Sequence, residues 1–261
     1  MNILEKIVAD KYKEVALKKS LIPTSQLEKS ILFGRNGYSL AEALRNSSTG
    51  IIAEHKRRSP SKQTINQNTN VAQVAKGYQK AGVCGMSILT DIKYFGGSLE
   101  DLLLARTVVD TPLLRKEFMI DEYQVLEAKA HGADVILLIA AVLSRNEIQK
   151  LSKLAKSLGM DVLLEVHNQE ELEKSIMPSL DMLGVNNRDL KTFEVSLETS
   201  KSLSKQIPNE FVKVSESGIS SIEAIKELKK YGFQGFLIGE NFMKTESPGK
   251  EAQTFIKKLA Q

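Results

Sequence analysis

The chain has 261 residues, of which 42% are hydrophobic and 26% charged, so it has an ordinary globular composition and can bury a sizeable core. Its formal net charge of +4 is too small and too dispersed to indicate nucleic-acid binding, although it suits small anionic ligands. The single cysteine excludes an internal disulfide, and the charged N-terminus argues against a signal peptide. The longest apolar run, residues 135–143, is too short to span a membrane. These features favour a cytoplasmic protein without membrane partners.

The first 49 residues precede the first predicted strand and contain one apolar helical stripe. The stripe consists of Ile3, Leu4, Ile7, Val8, Tyr12 and Val15. This spacing predicts an extra helix that packs onto the rest of the fold through its apolar face. A loosely attached helix, or a contact between two copies of the chain, is the alternative that the sequence leaves open.

From Gly50 onward, short apolar runs alternate with longer helical stretches. Several runs are continuously apolar, as expected for parallel strands that are covered on both faces. The predicted strands are 51–56, 85–90, 112–118, 134–139, 162–166, 182–186, 211–215 and 235–239.

Helix-start signals lie between these strands. Four segments have the spacing of a capping box, in which the side chains at both ends satisfy free backbone donors. They are Asp121-x-x-Gln124, Ser144-x-x-Glu147, Asn168-x-x-Glu171 and Ser220-x-x-Glu223.

Strands and helices that alternate in this way predict a parallel α/β fold, and eight units in about 250 residues favour closure into a (β/α)8 TIM barrel. An open, doubly wound sheet is the alternative, but it usually has a glycine-rich loop after its first strand. Here the sequence KRRSP at 56–60 contains no glycine. We therefore predict a helical extension over 1–49 and a barrel over 50–261.

Several charged residues lie in or directly after the apolar strands, namely Glu54, Lys56, Lys116 and Glu165. Alternation places Glu54 and Lys56 on one face of the first strand and His55 on the other. A buried ion network that only stabilises the fold is the alternative, but buried ion pairs are poor stabilisers compared with apolar packing. Because barrel enzymes place their chemistry at the carboxyl ends of the strands, we predict a common pocket suited to proton transfer.

The last two strands end in residues that suit a phosphate group. Ser217 and Gly218 follow the seventh strand, and Gly239 follows the eighth. Backbone N–H groups at this place commonly bind phosphate in the barrel fold. Three scattered histidines and one cysteine give no metal-ligand spacing, so we predict no metal and no cofactor.

Taken together, these strand ends resemble the indole-3-glycerol-phosphate synthase family over essentially the whole chain. The matching stretches are IIAEHKRRSPSK at 51–62, SILTD at 87–91, LRKEF at 114–118, GVNNRDL at 184–190, SESGI at 215–219 and LIGE at 237–240. The opening residues 3–8, ILEKIV, also resemble the extra N-terminal helix of the family.

The resemblance implies a lyase of tryptophan biosynthesis. Such an enzyme converts 1-(2-carboxyphenylamino)-1-deoxyribulose 5-phosphate into indole-3-glycerol phosphate, CO₂ and water without a cofactor. Lys116 matches the general acid and Glu165 the general base of the later steps. Lys56 matches a lysine that contacts the substrate and pairs with Glu165. Glu54 and Asn186 match a pair that orients the site.

The resemblance also implies the residues that hold the substrate. For the substrate they are Ser59, Phe118, Arg188, Glu216 and Ser217, and for its phosphate they are Lys56, Gly218, Gly239 and Glu240. One departure is Gln63, where the family pattern has glycine in the loop after the first strand. This departure bears on loop closure and not on the reaction.

The expected partner is a small phosphorylated substrate. We expect a monomer, and a weak homodimer is the alternative. Two other functions compete with the synthase: a phosphoribosylanthranilate isomerase, and a phosphosugar-binding barrel without catalysis. Neither needs two lysines that face two glutamates.

Overall fold

The computed structural model describes residues 2–189 and 192–261, so that Met1 of the predicted extension and Leu190 of the GVNNRDL stretch lie outside these ranges. Eight parallel strands close into a barrel in chain order, which confirms the predicted TIM barrel. The strands are β1 Ile51–His55, β2 Gly85–Leu89, β3 Leu113–Lys116, β4 Val135–Ile139, β5 Asp161–Val166, β6 Met182–Asn186, β7 Val212–Glu216 and β8 Phe233–Ile238.

Helices precede the barrel and follow each of its strands. They are α1 Ile3–Leu21, α2 Thr24–Leu27, α3 Leu40–Arg45, α4 Val71–Ala81, α5 Ile92–Phe95, α6 Leu99–Arg106, α7 Glu122–Ala130, α8 Arg145–Ser157, α9 Gln169–Ser175, α10 Glu198–Ser204, α11 Ile222–Lys229, α12 Glu240–Met243 and α13 Pro248–Leu259. Within the described ranges, no helix is long and apolar enough to cross a membrane.

All eight predicted strands are present, and the largest differences in their bounds are at β8, which begins two residues earlier than predicted, and at β3. The prediction ran to Phe118, whereas the strand ends at Lys116. The backbone N–H of Phe118 donates to the carboxylate of its own neighbour Glu117 at 2.9 Å, so that it is not available to an adjacent strand. The end of β3 is therefore free to turn towards the pocket.

Two of the predicted capping boxes are confirmed, at Asp121 before α7 and at Ser144 before α8. The prediction of Ser220 as a cap is wrong by one residue. The side chain of Ser221 accepts from the backbone N–H of Ala224 instead. A helix that begins after Ser221 buries Ile225, which explains the preference for this start.

The predicted box at Asn168 is half formed. The Asn168 side chain accepts from the backbone N–H of Glu171 at 2.9 Å, as a cap should. The carboxylate of Glu171, however, accepts from the backbone N–H of His167 at 2.8 Å and not from that of Asn168. The capping glutamate therefore reaches back one residue further than the motif predicts.

The core has two layers, one inside the barrel and one between the strands and the surrounding helices. Leu40 and Leu44 of α3 belong to the inner layer, together with Ile52, Leu114 and other strand residues. Because α3 packs against β7 and β8 and its leucines fill the interior, this end of the barrel is closed by side chains.

The helix α1 is packed on the barrel, as the apolar stripe predicted. Its residues Ile7 and Val15 are buried. Lys11 on the same helix is also buried, and its Nζ lies 3.0 Å from Asp91 Oδ2 after β2 and 3.1 Å from Glu117 Oε1 after β3. An ion cluster therefore ties α1 to two of the loops at the carboxyl ends of the strands.

Candidate active site

A cavity of about 360 Å³ opens at the carboxyl ends of the strands. The structure places every predicted site residue in its lining, and the role of each stays a prediction. These residues are Glu54, Lys56, Ser59, Lys116, Phe118, Glu165, Asn186, Arg188, Glu216, Ser217, Gly218, Gly239 and Glu240.

Lys116 lies between two carboxylates at the end of β3. Its Nζ is 3.1 Å from Glu165 Oε2 on β5 and also forms an ion pair with Glu216 Oε2 on β7. Burial alone would lower the pKa of Lys116, but the charges of Glu216 and Glu165 outweigh it and hold this pKa above its ordinary value. Lys116 is therefore held as a cation.

Glu165 has one oxygen towards Lys116 and the other towards β6. Its Oε1 accepts a hydrogen bond from Asn186 Nδ2 at 2.9 Å. Burial would raise the pKa of Glu165, but the charge of Lys116 and the neighbouring His167 and Asn186 hold it well below its usual range. Glu165 is therefore ionised and can accept a proton once Lys116 has given up its charge.

Glu216 is the second carboxylate on Lys116, and its environment differs from that of Glu165. Burial and the nearby charge of Glu165 raise the pKa of Glu216 to about 7, against the attraction of Lys116. Its Oε1 has no hydrogen-bond partner within the part of the chain that the structure describes. A Cβ at Gly184 would lie 2.6 Å from this oxygen, so only glycine leaves room for it. Sequence reasoning named Glu216 only as a substrate contact.

One pairing that the resemblance implied differs in the structure. Lys56 Nζ lies 2.6 Å from Glu54 Oε1 and forms its ion pair there, not with Glu165. Asn186, which the resemblance names with Glu54 as a residue that orients the site, hydrogen-bonds to Glu165. The pocket therefore holds a Lys56–Glu54 pair and a Glu165–Lys116–Glu216 group, and the charge of Glu54 also acts on Lys116.

The predicted phosphate end lies where β7 and β8 finish. Ser217 and Gly218 both adopt left-handed backbone conformations, with φ of 67° and 76°. For serine this conformation is strained, and such strain is common at binding sites. The carboxylate of Glu240 is turned to Lys62 in the loop after β1, with 2.7 Å between Oε1 and Nζ. Lys62 therefore links the two loops that flank this end of the cavity.

One wall of the cavity is apolar. Phe95 and Phe118 stand with their ring centroids 6.0 Å apart, and α1 adds Ile3 and Leu4. Phe193 completes the rim in a left-handed backbone conformation, with φ of 61°. Sequence reasoning assigned Ile3 and Leu4 to packing only and gave no signal for Phe95 or Phe193. This wall can receive an aromatic ring beside Lys116.

The three histidines and the cysteine lie apart from the cavity lining of the described residues. His55 is buried on the outer face of β1, as predicted, and burial lowers its pKa to about 4. The described ranges contain no group of three or more His, Cys, Asp or Glu residues that could hold a metal ion. The absence of a cofactor stays a prediction.

Comparison with known proteins gives matches over nearly the whole chain. The family model described as indole-3-glycerol phosphate synthase matches residues 4–257. An indole-3-glycerol phosphate synthase of Bacteroides thetaiotaomicron is 49% identical over 258 residues, which is 99% of each chain.

Two solved structures are similar in fold. The 3-hexulose-6-phosphate synthase of Salmonella typhimurium has a TM-score of 0.65 at 14% identity and covers 81% of this chain and 99% of its own. The tryptophan synthase alpha subunit of Legionella pneumophila has a TM-score of 0.61 at 13% identity and covers 84% of this chain and 96% of its own. At such identities these two structures show the fold alone.

Proposed function

The chain belongs to the indole-3-glycerol phosphate synthase family, and we propose that the residues of its barrel-end cavity perform the reaction in the roles given below. The enzyme is a carboxy-lyase of tryptophan biosynthesis that acts on a small phosphorylated substrate. The observation that supports the roles best is the Lys116 ammonium, held between Glu165 and Glu216 beside an apolar wall.

Lys116 acts as the general acid of ring closure. The aromatic carbon that bears the carboxylate attacks C2′ of the sugar, and the C2′ oxygen takes the proton of the Lys116 ammonium and becomes a hydroxyl. A cation in a partly dry pocket also stabilises the negative charge that develops on this oxygen. The carboxylate then leaves as CO₂, and its electron pair restores the aromatic ring.

Glu165 acts as the general base of the dehydration. It removes a proton from C1′ while the hydroxyl at C2′ leaves as water, which completes the indole. Lys116 has lost its charge by then, so the main influence that lowers the pKa of Glu165 is weaker. The leaving hydroxyl needs a proton donor. Lys56, which has kept its proton, is one candidate, and Lys116 is the other once it has taken up a new proton.

The remaining residues hold the substrate at its two ends. The apolar wall of Phe95, Phe118 and α1 receives the aromatic ring. The phosphate binds at the opposite side, near Lys56, Gly218 and Gly239. A substrate held in this way presents C2′ to Lys116 in the middle of the cavity, which is the orientation that ring closure requires.

The first test is the formation of indole fluorescence from the carboxyphenylamino sugar phosphate, with wild type beside Lys116→Ala. We expect Lys116→Ala to fold and to lose at least about a hundredfold in kcat, which corresponds to about 3 kcal/mol of transition-state stabilisation. Lys153→Ala, an exposed site on α8, is the matched control and should keep full activity. Wild-type turnover in Lys116→Ala would remove this lysine from the acid role. Binding without turnover in wild type would favour a binding barrel.

Three further points stay predictions. They are a cytoplasmic location, a monomeric state, and the division into an extension over 1–49 and a catalytic barrel over 50–261. The ion cluster of Lys11 supports an extension that stays attached to the barrel during catalysis.

A further inference from the structure

His167 follows β5 directly and lies behind Glu165, on the side away from the cavity. Its Nε2 is 3.4 Å from Glu165 Oε1, and its Nδ1 is 3.1 Å from Glu171 Oε2 on α9. The side chain is only 10% exposed. We propose that His167, clamped by Glu171, is a positioning residue that holds Oε1 of the general base, so that Oε2 is the oxygen that takes the proton.

The two oxygens of Glu165 have different surroundings. Oε1 accepts from Asn186 Nδ2 and faces the imidazole of His167, so protein groups approach it from two directions. Oε2 faces Lys116, where the substrate binds. A carboxylate fixed through one oxygen keeps the other at a constant distance from the reacting carbon, and such constancy is worth a large factor in rate.

Glu171, which holds the His167 ring, is the residue that the capping-box motif assigns to the N-terminus of α9. Glu171 is at the third position of α9, where a capping box returns its carboxylate to the backbone N–H of Asn168. In this chain that carboxylate takes the backbone N–H of His167 at 2.8 Å and the ring Nδ1 at 3.1 Å. Glu171 therefore fixes both the backbone and the ring of His167, and Nε2 is left to face Glu165.

The surroundings of His167 Nε2 also support a positioning role for this residue. Nε2 is buried and makes no hydrogen bond of ordinary length within the described residues, and Glu165 Oε1 is the carboxylate that it faces. Buried polar atoms are rarely left in this way unless the site has a use for them. A small shift of either side chain closes the gap, so the contact can tighten when substrate enters.

The charge of the ring adds a second effect. The carboxylates that face it are Glu165 from β5 and Glu171 from α9, and Lys116 lies beyond Glu165. Burial would lower the pKa of His167, but the two carboxylates Glu165 and Glu171, close to its two ring nitrogens, raise it to about 10. A cationic His167 keeps Glu165 ionised at neutral pH, even after Lys116 has donated its proton. The removal of this cation should raise the pKa of Glu165.

This inference rests on the proposed role of Glu165, so its test needs readouts that separate the two. The variants are His167→Ala, His167→Gln, which keeps a donor but not the charge, and Glu171→Gln. His131→Gln is the matched control, because that ring bonds to a backbone carbonyl of its own helix. Thermal unfolding of each variant shows whether it folds. If His167→Ala does not fold, the kinetics of His167→Gln and the NMR spectra described below still test the proposal.

We expect kcat of His167→Ala to fall on the order of tenfold, which corresponds to the contribution of one charge-assisted hydrogen bond. KM should change little. His167→Gln should recover most of this loss. In both variants the acidic limb of the kcat profile should move to higher pH by about one unit, because a neighbouring cation has been removed. Glu171→Gln should have no further effect in the His167→Gln background.

An unchanged acidic limb in both variants, or additive effects of the His167 and Glu171 changes, would overturn the proposal.

Imidazole NMR gives a readout that does not depend on activity. The chain has three histidines, so His167→Gln assigns the signal. We expect a cationic ring at pH 8 that becomes neutral there in Glu171→Gln. A ring that is neutral in wild type would refute the clamp, even if the enzyme were fully active. Complete inactivity of wild type would refute the proposed function and leave the NMR result to decide the clamp.

Discussion

Lys11→Met should be among the most destabilising single changes in this chain. The side chain of Lys11 is 2% exposed, and the two carboxylates it meets after β2 and β3, Asp91 and Glu117, are 3% and 1% exposed. Burial would lower the pKa of Lys11, but Glu117 and Asp91 raise it well above its ordinary value, so the lysine stays charged. Methionine keeps the apolar stem and removes only the cation.

The expected loss follows from the charges that remain. Removal of one partner from a buried ion pair typically costs about 3–5 kcal/mol, because the other partner is left uncompensated. In a domain of this size each kcal/mol lowers Tm by about 2–4 °C, so we expect a fall of about 6–20 °C. Urea unfolding monitored by circular dichroism gives the free energy of unfolding directly.

A second substitution tests the explanation. Lys11→Met with Glu117→Gln removes the cation and one of the stranded charges together, so the double variant should be more stable than the sum of the single effects predicts, by at least about 1 kcal/mol. Lys13→Met is the control, because Lys13 is exposed on the same helix and should change stability by less than about 0.5 kcal/mol. If Lys11→Met stayed within about 1 kcal/mol of wild type, and the two changes were additive, the ion cluster would not hold α1 in place.

Three other outcomes are expected. Glu216→Gln should gain stability relative to wild type as pH rises from 4.5 to 7 in urea unfolding. The pKa of Glu216 is raised from 4.5 to about 7 in the fold, so over this range only the unfolded wild-type chain loses the proton, and wild type becomes less stable; a constant difference across this range would refute the assignment. Gly184→Ala should lower kcat with little change in KM, because its Cβ would lie 2.6 Å from Glu216 Oε1 and displace the carboxylate beside Lys116; unchanged turnover would show that the pocket adapts. Treatment with EDTA should leave wild-type turnover unchanged, since Lys116 supplies the proton; activity that returned only on addition of a metal would contradict this.

The strands and the position of the site could be predicted from the sequence for a simple reason. Continuously apolar runs mark strands that are covered on both faces, and charged residues within them are costly unless they face a pocket. Since all parallel strands of a barrel end at one rim, Glu54, Lys116 and Glu165 had to meet there once the fold was known.

The pairings within the site could not be predicted in the same way. Whether Lys56 meets Glu54 or Glu165 depends on which strands lie across the barrel from each other, and on how far each side chain reaches. The clamp on His167 depends on a carboxylate that reaches back one residue further than its motif indicates. Phe95 enters the wall from a short helix after β2, where the sequence has no feature that points inward.

The closure of the barrel has a consequence for the way this protein is made. Ile51, Ile52 and Ala53 of β1 pair on one side with Phe236, Leu237 and Ile238 of β8, near the other end of the chain. A ribosome that adds about 5–20 residues per second needs roughly 10–40 s to travel from β1 to β8. During this time the first strand has an unpaired apolar edge, which is the kind of surface that joins other chains. The nascent chain is therefore most exposed to aggregation just before its last strand emerges, and chaperone binding is of most use in that interval.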